Sequence, residues 1–538
     1  MKNIKKYNRI FLALILIFTI GSCTKDFEEM NQNPNSPVDV PAINIFTHVI
    51  TDALTRNNNP EVGGWIQHTY LGVWCQQWCK VQYIDEDWYA PRNMSGYFED
   101  PYTRMLLDIE IILQKTTEDI ENEKEVTANK SLQGAAKIMR AWIFHFLTDI
   151  WGDIPYTEAL QGLDEEGTIT PVYDTQESVY MALLAELEEA NQLLSGTTVS
   201  FGSGDIIFDG DPVKWRKFAN SLKLRILNRC AGTPWTFTYD MVAPQADVTT
   251  SAGAVAYSGA DADIGAILGS GPIIESNDDN VLLTFPGLPY RNPIFNTLYD
   301  RTDQAISETM VDWLEARNDP RLPVYAQETP NHVADPVTYP DPYVGQQNGR
   351  AHAAAHFPSI SLLGLPVAYD ENAPVFILTY EEVEFIKAEY YMRTGNDALA
   401  QAAYEAGIAA SMDKWGVIYD KATYYDGVAL VDWALAANDG EKYQRICEQK
   451  WAAIYGQGVQ AYAEVRRTGF PARIFEYELE GAFYPNLGLP IRLTYSLNEA
   501  TYNAVNLQAA KTRQNVELAY ESMFSQNGIQ SQIWWHTR

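Results

Sequence analysis

Long apolar runs, histidine, cysteine and positive charge are all scarce in this chain, and each shortage closes off a class of function. Ile10 to Ile20 is an apolar run, interrupted only by Thr19, but too short to cross a bilayer, and no other stretch stays apolar for 18 residues. No transmembrane helix is therefore expected. Basic residues number 39 against 70 acidic ones, a net charge of −31. Nucleic acid and anionic membrane surfaces both need clustered Lys and Arg, so neither is an expected partner. Five cysteines serve 538 residues. Cys75 and Cys79 stand at i, i+4, but zinc would need further close ligands, and no spacing among Cys75, Cys79, Cys230 and Cys447 specifies a disulfide. Buried thiols are the expectation. Among seven histidines, His352 and His356 have the spacing of a zinc helix but lack the glutamate of HExxH, and Pro358 follows at once. There is no Gly-rich phosphate loop and no GxSxG. Ser276 to Asn280 carries oxygens that could face calcium, but without alternating ligands and a distal Glu it reads as a turn. No catalytic residues, no metal site and no cofactor are expected, although a structural Ca²⁺ remains compatible.

The chain does have apolar stripes at helical spacing. In Leu132–Leu160, residues Ala135, Ile138, Met139, Trp142, Ile143, Phe146, Leu147 and Ile150 fall on one face, and Gly152 and Pro155 end the pattern. Lys137, Arg140, His145 and Asp149 sit between them. Asp174-Thr175-Gln176-Glu177 and Thr379-Tyr380-Glu381-Glu382 read as capping boxes. Asp211-Pro212 opens a helix with Trp215, Phe218, Leu222 and Ile226 inward, leaving Lys214, Arg216, Lys217, Lys223 and Arg225 on a solvated face. Glu381, Glu382 and Glu384 read as partners of a helix dipole. Gly395 and Gly416 close two helices within about 37 residues, the size of a tetratricopeptide-like hairpin, whose period is ~34. Glu441–Tyr455 and Val459–Arg467 supply another pair. The fold class expected is mostly α: a tetratricopeptide-like helical-hairpin scaffold over about 42–231 and 375–470. A loop-rich region covers about 232–374, and 471–538 closes the single domain 42–538.

Lys2, Lys5, Lys6 and Arg9 precede the Ile10–Ile20 run, and Ile20-Gly21-Ser22-Cys23 after it looks like a bacterial lipobox. Residues 1–22 are then a lipoprotein-type signal peptide and Cys23 the lipid anchor. Thr24 to Glu29 resembles an acidic surface-export signal, and 23–41 is a tether. Removing four positive charges and no acid brings the mature chain nearer −35.

The run MRAWIFHFLTDIWGDIPYTEAL, Met139 to Leu160, closely resembles the signature of SusD/RagB-type lipoproteins, the surface ligand-binding partners of SusC-type transporters in Bacteroidetes. Asn31–Asn35, the helix Asp211–Arg229, the turn Asn318–Pro323, the TYEEVEFIKAE helix from Thr379 and Pro490–Leu493 resemble further SusD-like segments, in the same order. The resemblance implies a cell-surface nutrient-binding lipoprotein of the outer membrane, not an enzyme. It would deliver its ligand to a SusC-type TonB-dependent transporter. Glycan oligosaccharides lead as ligand, oligopeptides are the alternative, and a surface glycan hydrolase comes third.

Aromatic side chains stack on apolar C–H faces of sugars while amides and acids take the hydroxyls. By composition alone, the ligand-binding residues expected are Trp78, Tyr83, Asp85, Trp88, Tyr89, Arg92 and Asn93, with a second loop at Tyr290, Arg291 and Asn292. Trp74 and Trp78 lean toward core. Trp88 and Tyr89, adjacent and followed by Pro91, lean toward exposure.

Overall fold

The stripe around Trp142 does form a helix, and that helix organises its neighbours. A computed structural model describes residues 40–55, 66–89, 94–162, 167–232, 235, 238–239, 248–249, 255–349, 357–476, 490 and 492–514. Cys23, the tether before residue 40, Arg92, Asn93, His352 and His356 lie outside the described residues. The long helices are α1 (Ala42–Thr55), α2 (Leu107–Glu121), α3 (Val126–Trp151), α4 (Gln176–Leu193) and α5 (Pro212–Cys230), then α6 (Tyr380–Arg393), α7 (Asp397–Lys414), α8 (Asp439–Ala453) and α9 (Gly458–Thr468). Consecutive helices pack as neighbours from α1 to α5, α6 packs on α5, and α6–α7 and α8–α9 make the later pairs. Strands among the described residues are short and form four two-stranded ribbons. The fold class is mostly helical, as the stripes require.

All eight stripe residues of α3 are fully buried. Each large one is worth roughly 1.5–3 kcal/mol over an exposed position. Gly152 ends the helix at φ 78, the left-handed region that favours glycine. Gly395 and Gly416 close α6 and α7 in the same way. Asp211 caps α5, accepting from Val213 N at 2.8 Å, with Pro212 at the first turn. The four described cysteines are buried thiols outside any disulfide, and burial pushes the Cys75 thiol up to about 12.

Several local expectations fail, because tertiary partners take the side chains. Thr175, not Asp174, caps α4, accepting from Ser178 N at 3.2 Å. Asp174 instead accepts from Tyr156 N at 3.0 Å and Thr157 N at 2.8 Å. Thr379 makes no side-chain cap, and the other half of the box is lost as well, because Glu382 is drawn into a bidentate pair with Arg225, both contacts 2.7 Å. Arg225 is therefore a buried residue of α5, not part of a solvated face. Glu381 pairs with Lys414, so these glutamates are buried ion-pair partners. His145 and Asp149 on α3 are fully enclosed as well; Asp149 is contacted by Tyr180, Arg229 and His145. Burial, then the charges of Arg229 and Arg225, holds the His145 imidazole well below its ordinary value.

Trp74 and Trp78 do not share a helix. A π-helical turn, Ile66–Leu71, and a short helix, Gly72–Trp74, lead into β1 (Trp78–Lys80). The region read as loop-rich also holds regular helices at Ala260–Ser270 and Glu308–Glu315. The second stops at the Asp319-Pro320-Arg321 turn, where Arg321 clamps Asp319 with Nε at 2.9 Å and Nη2 at 2.6 Å.

Candidate ligand-binding site

β1 pairs antiparallel with β2 (Gln304–Ile306), Trp78 opposite Ile306 and Lys80 opposite Gln304. This ribbon brings two candidate loops together across more than 200 residues, and Val81 N extends it by donating to Asp303 O at 2.9 Å. Asp303 anchors the junction. Its carboxylate takes Lys80 Nζ at 3.2 Å and Arg301 through Nε at 2.8 Å and Nη2 at 3.0 Å. Burial pushes this carboxyl up, but Arg301 and Lys80 outweigh burial and leave it below its ordinary value. The Arg301 guanidinium, thus pinned, lies 5.8 Å from the ring centroid of Tyr83, which is 71% exposed. Tyr83 sits at φ 53, uncommon for a side chain of this size, and the turn holds it out into solvent.

The chain before Arg301 adds further aromatic surface. Asn292 caps the short helix Pro293–Leu298, accepting from Ile294 N at 2.8 Å and Phe295 N at 3.0 Å, and donates to Ala373 O at 2.9 Å. From that helix Phe295 stacks on Tyr299, centroids 5.4 Å apart at 22°. Arg291 lies 5.3 Å from the Phe295 centroid and pairs with Glu371 at 2.6 Å. Tyr290 is 68% exposed and Tyr299 53%. In chain order, exposed Tyr290, the Arg291–Phe295–Tyr299 stack and the separate Arg301–Tyr83 contact make up an aromatic strip of flat rings beside two arginines whose charges are already matched.

Not every residue picked by composition stands on this strip. Tyr83, Asp85 and Tyr290 are exposed, and Arg291 is half-buried within it. Trp78 is enclosed in the core against Tyr455 and cannot meet a ligand. Tyr89 is also buried, packed edge-on to Trp74, contrary to the exposure expected for it, and Trp88 is only half-buried. Asn292 is buried as a helix cap. Asp87 is a scaffold residue: its carboxylate takes Cys79 Sγ at 2.9 Å and Asn348 Nδ2 at 2.9 Å, and burial pushes it up to about 6. Gln76 and Gln77 are likewise buried and bonded, to Thr309 and to Trp451 O. Sequence reasoning missed Phe295, Tyr299 and Arg301. Only the i, i+4 aromatic pair hinted at them.

A wider groove of about 900 Å³ lies along α2 and the chain after α3. Of its aromatics, Phe144 is buried, and Tyr156 is half-buried and packs edge to face with it at 4.8 Å. Its arginine, Arg140, is held by Glu186 and Glu110. Among the described residues no group of three or more His, Cys, Asp or Glu could hold a metal ion. At the Ser276–Asn280 turn, Asp279 is engaged by Lys217 at 2.7 Å.

Comparison with known proteins decides the family. The family model for SusD-like proteins, described as "starch-binding associating with outer membrane", matches residues 34–496. The chain belongs to the SusD-like family. A SusD homologue of Bacteroides fragilis superposes with a TM-score of 0.71 at 23% identity, over 93% of this chain and all of that one. A SusD homologue of Bacteroides uniformis gives the same four values. A chitin-binding protein gives 0.69 at 22% identity, with 93% and 100% covered. No curated protein matches the sequence. The SusD-like family is outer-membrane associated and made of nutrient-binding proteins, and among the described residues no helix is long and apolar enough to cross a membrane.

Proposed function

We propose that this SusD-like protein is a surface lipoprotein anchored through Cys23 that captures glycan oligosaccharides on the strip from Tyr290 to Arg301 and Tyr83. It then passes them to a SusC-type TonB-dependent transporter. The observation that carries this reading is the exposed, flat Tyr83 ring beside Arg301, which Asp303 holds in place. Rings supply contact area at low conformational cost, and polar tips and guanidinium N–H groups meet hydroxyls. The reading involves no covalent chemistry.

Ligand charge favours glycan over oligopeptide. Arg291 is matched by Glu371 and Arg301 by Asp303, so a peptide carboxylate would have to compete with a resident one. A neutral sugar needs no such exchange. The similarity to a chitin-binding protein supports the same ligand class. Affinity electrophoresis on immobilised glycans, beside calorimetry with oligopeptides, tests the choice. Retardation by at least one glycan is expected; heat from peptides alone would replace the glycan reading with the peptide one. Hydrolysis of any glycan, abolished by changing one carboxylate, would refute a purely binding role.

A further inference from the structure

We propose that Glu371 is a charge filter on the aromatic strip: by occupying Arg291 it reserves the strip for uncharged oligosaccharides and turns away glycans that carry carboxylate or sulfate groups. The proposal rests on the reading of the strip as the glycan site and extends it to the class of glycan. Stacking on a ring discriminates little by charge, so a choice between neutral and acidic sugars has to come from the charged groups around the rings.

Glu371 is built into its position. Its carbonyl accepts from Asn292 N at 2.9 Å, Asn292 Nδ2 donates to Ala373 O at 2.9 Å, and Asn372 Nδ2 donates to Phe285 O at 2.8 Å. These three bonds fasten the segment 371–373 to the loop that carries Tyr290 and Arg291. The Glu371 side chain then meets Arg291 Nε through Oε2 at 2.6 Å, and both of those atoms are shut off from solvent. Arg291 in turn lies 5.3 Å from the Phe295 centroid, and Phe295 stacks on exposed Tyr299. The carboxylate therefore neutralises the one guanidinium that the stacked rings carry.

Among the described residues of the strip, no positive charge is left over for a ligand. At the other contact Asp303 holds Arg301 through two bonds and also takes Lys80. Asp300, exposed and next to Arg301 in the chain, bears on the same guanidinium. Lys80, Arg291 and Arg301 are thus set against Glu371, Asp303 and Asp300. Exposed Asp370, next to Glu371 in the chain, adds a further negative charge. A uronate or sulfate group here would shed water beside resident carboxylates without gaining a free cation, which opposes it. A neutral sugar meets no such penalty. The net charge of −31 acts in the same direction from farther off.

The test is calorimetry on the full lipidated chain in detergent, with tetragalacturonate and its fully methyl-esterified form as probes, which share a skeleton and differ in charge. Wild type should bind the ester at least tenfold more tightly than the acid. Glu371→Gln removes the charge, and Glu371→Ala also opens the space in which a uronate carboxylate would face Arg291. Both should gain affinity for the acid, about tenfold for alanine, with little change for the ester. The gain should shrink as salt is raised and vanish in Arg291→Gln/Glu371→Ala, a pattern that loosened packing alone would not produce. The pair is partly exposed and adds little to folding, so the melting temperature should hold in the Glu371 variants. Tyr83→Ala/Tyr299→Ala checks the strip separately. Loss of ester binding there, with acid affinity unmoved by either Glu371 change, would keep the strip and overturn the filter. Ester binding intact there, with the acid gained in the Glu371 variants, would keep the filter and move the glycan contact off Tyr83 and Tyr299. Acid bound as tightly as ester by the wild type, or neither probe bound by any of these proteins, also overturns the filter.

Discussion

Replacing Asp319 by alanine should be among the most damaging single changes outside the apolar core. Asp319 and Arg321 are both wholly enclosed. Besides its clamp on Asp319, Arg321 donates to Ser411 on α7 at 3.0 Å and to Gln449 on α8 at 2.8 Å, and Tyr424 bonds Asp319. The turn thus fastens the middle of the chain to two later helices. Asp319→Ala leaves the guanidinium enclosed with only neutral partners, and breaking a buried pair in this way costs roughly 3–5 kcal/mol. With urea slopes at or above ~3 kcal/mol/M for a chain this size, the midpoint should fall by about 1 M. Urea unfolding followed by tryptophan fluorescence reads the shift. The double variant Asp319→Leu/Arg321→Met removes both charges and should recover most of the loss, since apolar replacement of a buried pair is often neutral. A loss below about 1 kcal/mol for the single variant, or a double variant no better than the single one, would refute the reasoning.

Acid sensitivity should trace to named groups. Burial and then the Lys80 charge hold His68 down at about 3, so it stays neutral in the fold while the unfolded chain protonates near ~6.5. The associated stability is full above that pH and is lost as pH falls from there toward 3; His68→Gln should flatten the decline of urea midpoints between pH 6.5 and 4. Asp87, raised to about 6, acts in the opposite sense. Its contribution is present below the unfolded carboxyl value near ~4 and lost as pH rises through 6, so Asp87→Asn should erase that component of the pH profile. A Cβ on Gly458 would lie 2.0 Å from Gln67 O and 2.5 Å from Gly72 N. Gly458→Ala should therefore lower the melting temperature by at least the ~1–3 kcal/mol equivalent of overpacking. Cys23→Ser should abolish incorporation of labelled palmitate and move the protein out of the outer-membrane fraction.

The scaffold was legible because helical stripes and glycine stops are local signals. Trp142, Ile143 and Phe146 announce a buried face, and Gly152, Gly395 and Gly416 announce ends, without knowledge of neighbours. Buried charge was not legible. Arg225 occupies a position that a single helix would give to solvent, and only α6 packing on α5 delivers Glu382 to meet it. The two capping boxes failed for the same reason, since distant partners claimed Asp174 and Glu382. The strip was half legible. Aromatic density pointed to Tyr83 and Tyr290, but joining Tyr83 to Arg301 depends on the register of a three-residue ribbon. No periodicity encodes a pairing over that distance. Adjacency misled for Trp88 and Tyr89, because a positive φ of 54 at Tyr89 lets the turn carry its ring inward.

Calorimetric titration of wild type and the Tyr83→Ala/Tyr299→Ala variant, using the glycan that retards the wild type most, addresses the central claim directly. Saturable binding by the wild type should fall by at least tenfold in the variant, at about 1.4 kcal/mol per factor of ten, with the unfolding midpoint preserved. A variant that binds as tightly as the wild type would remove the aromatic strip from any role in capturing ligand.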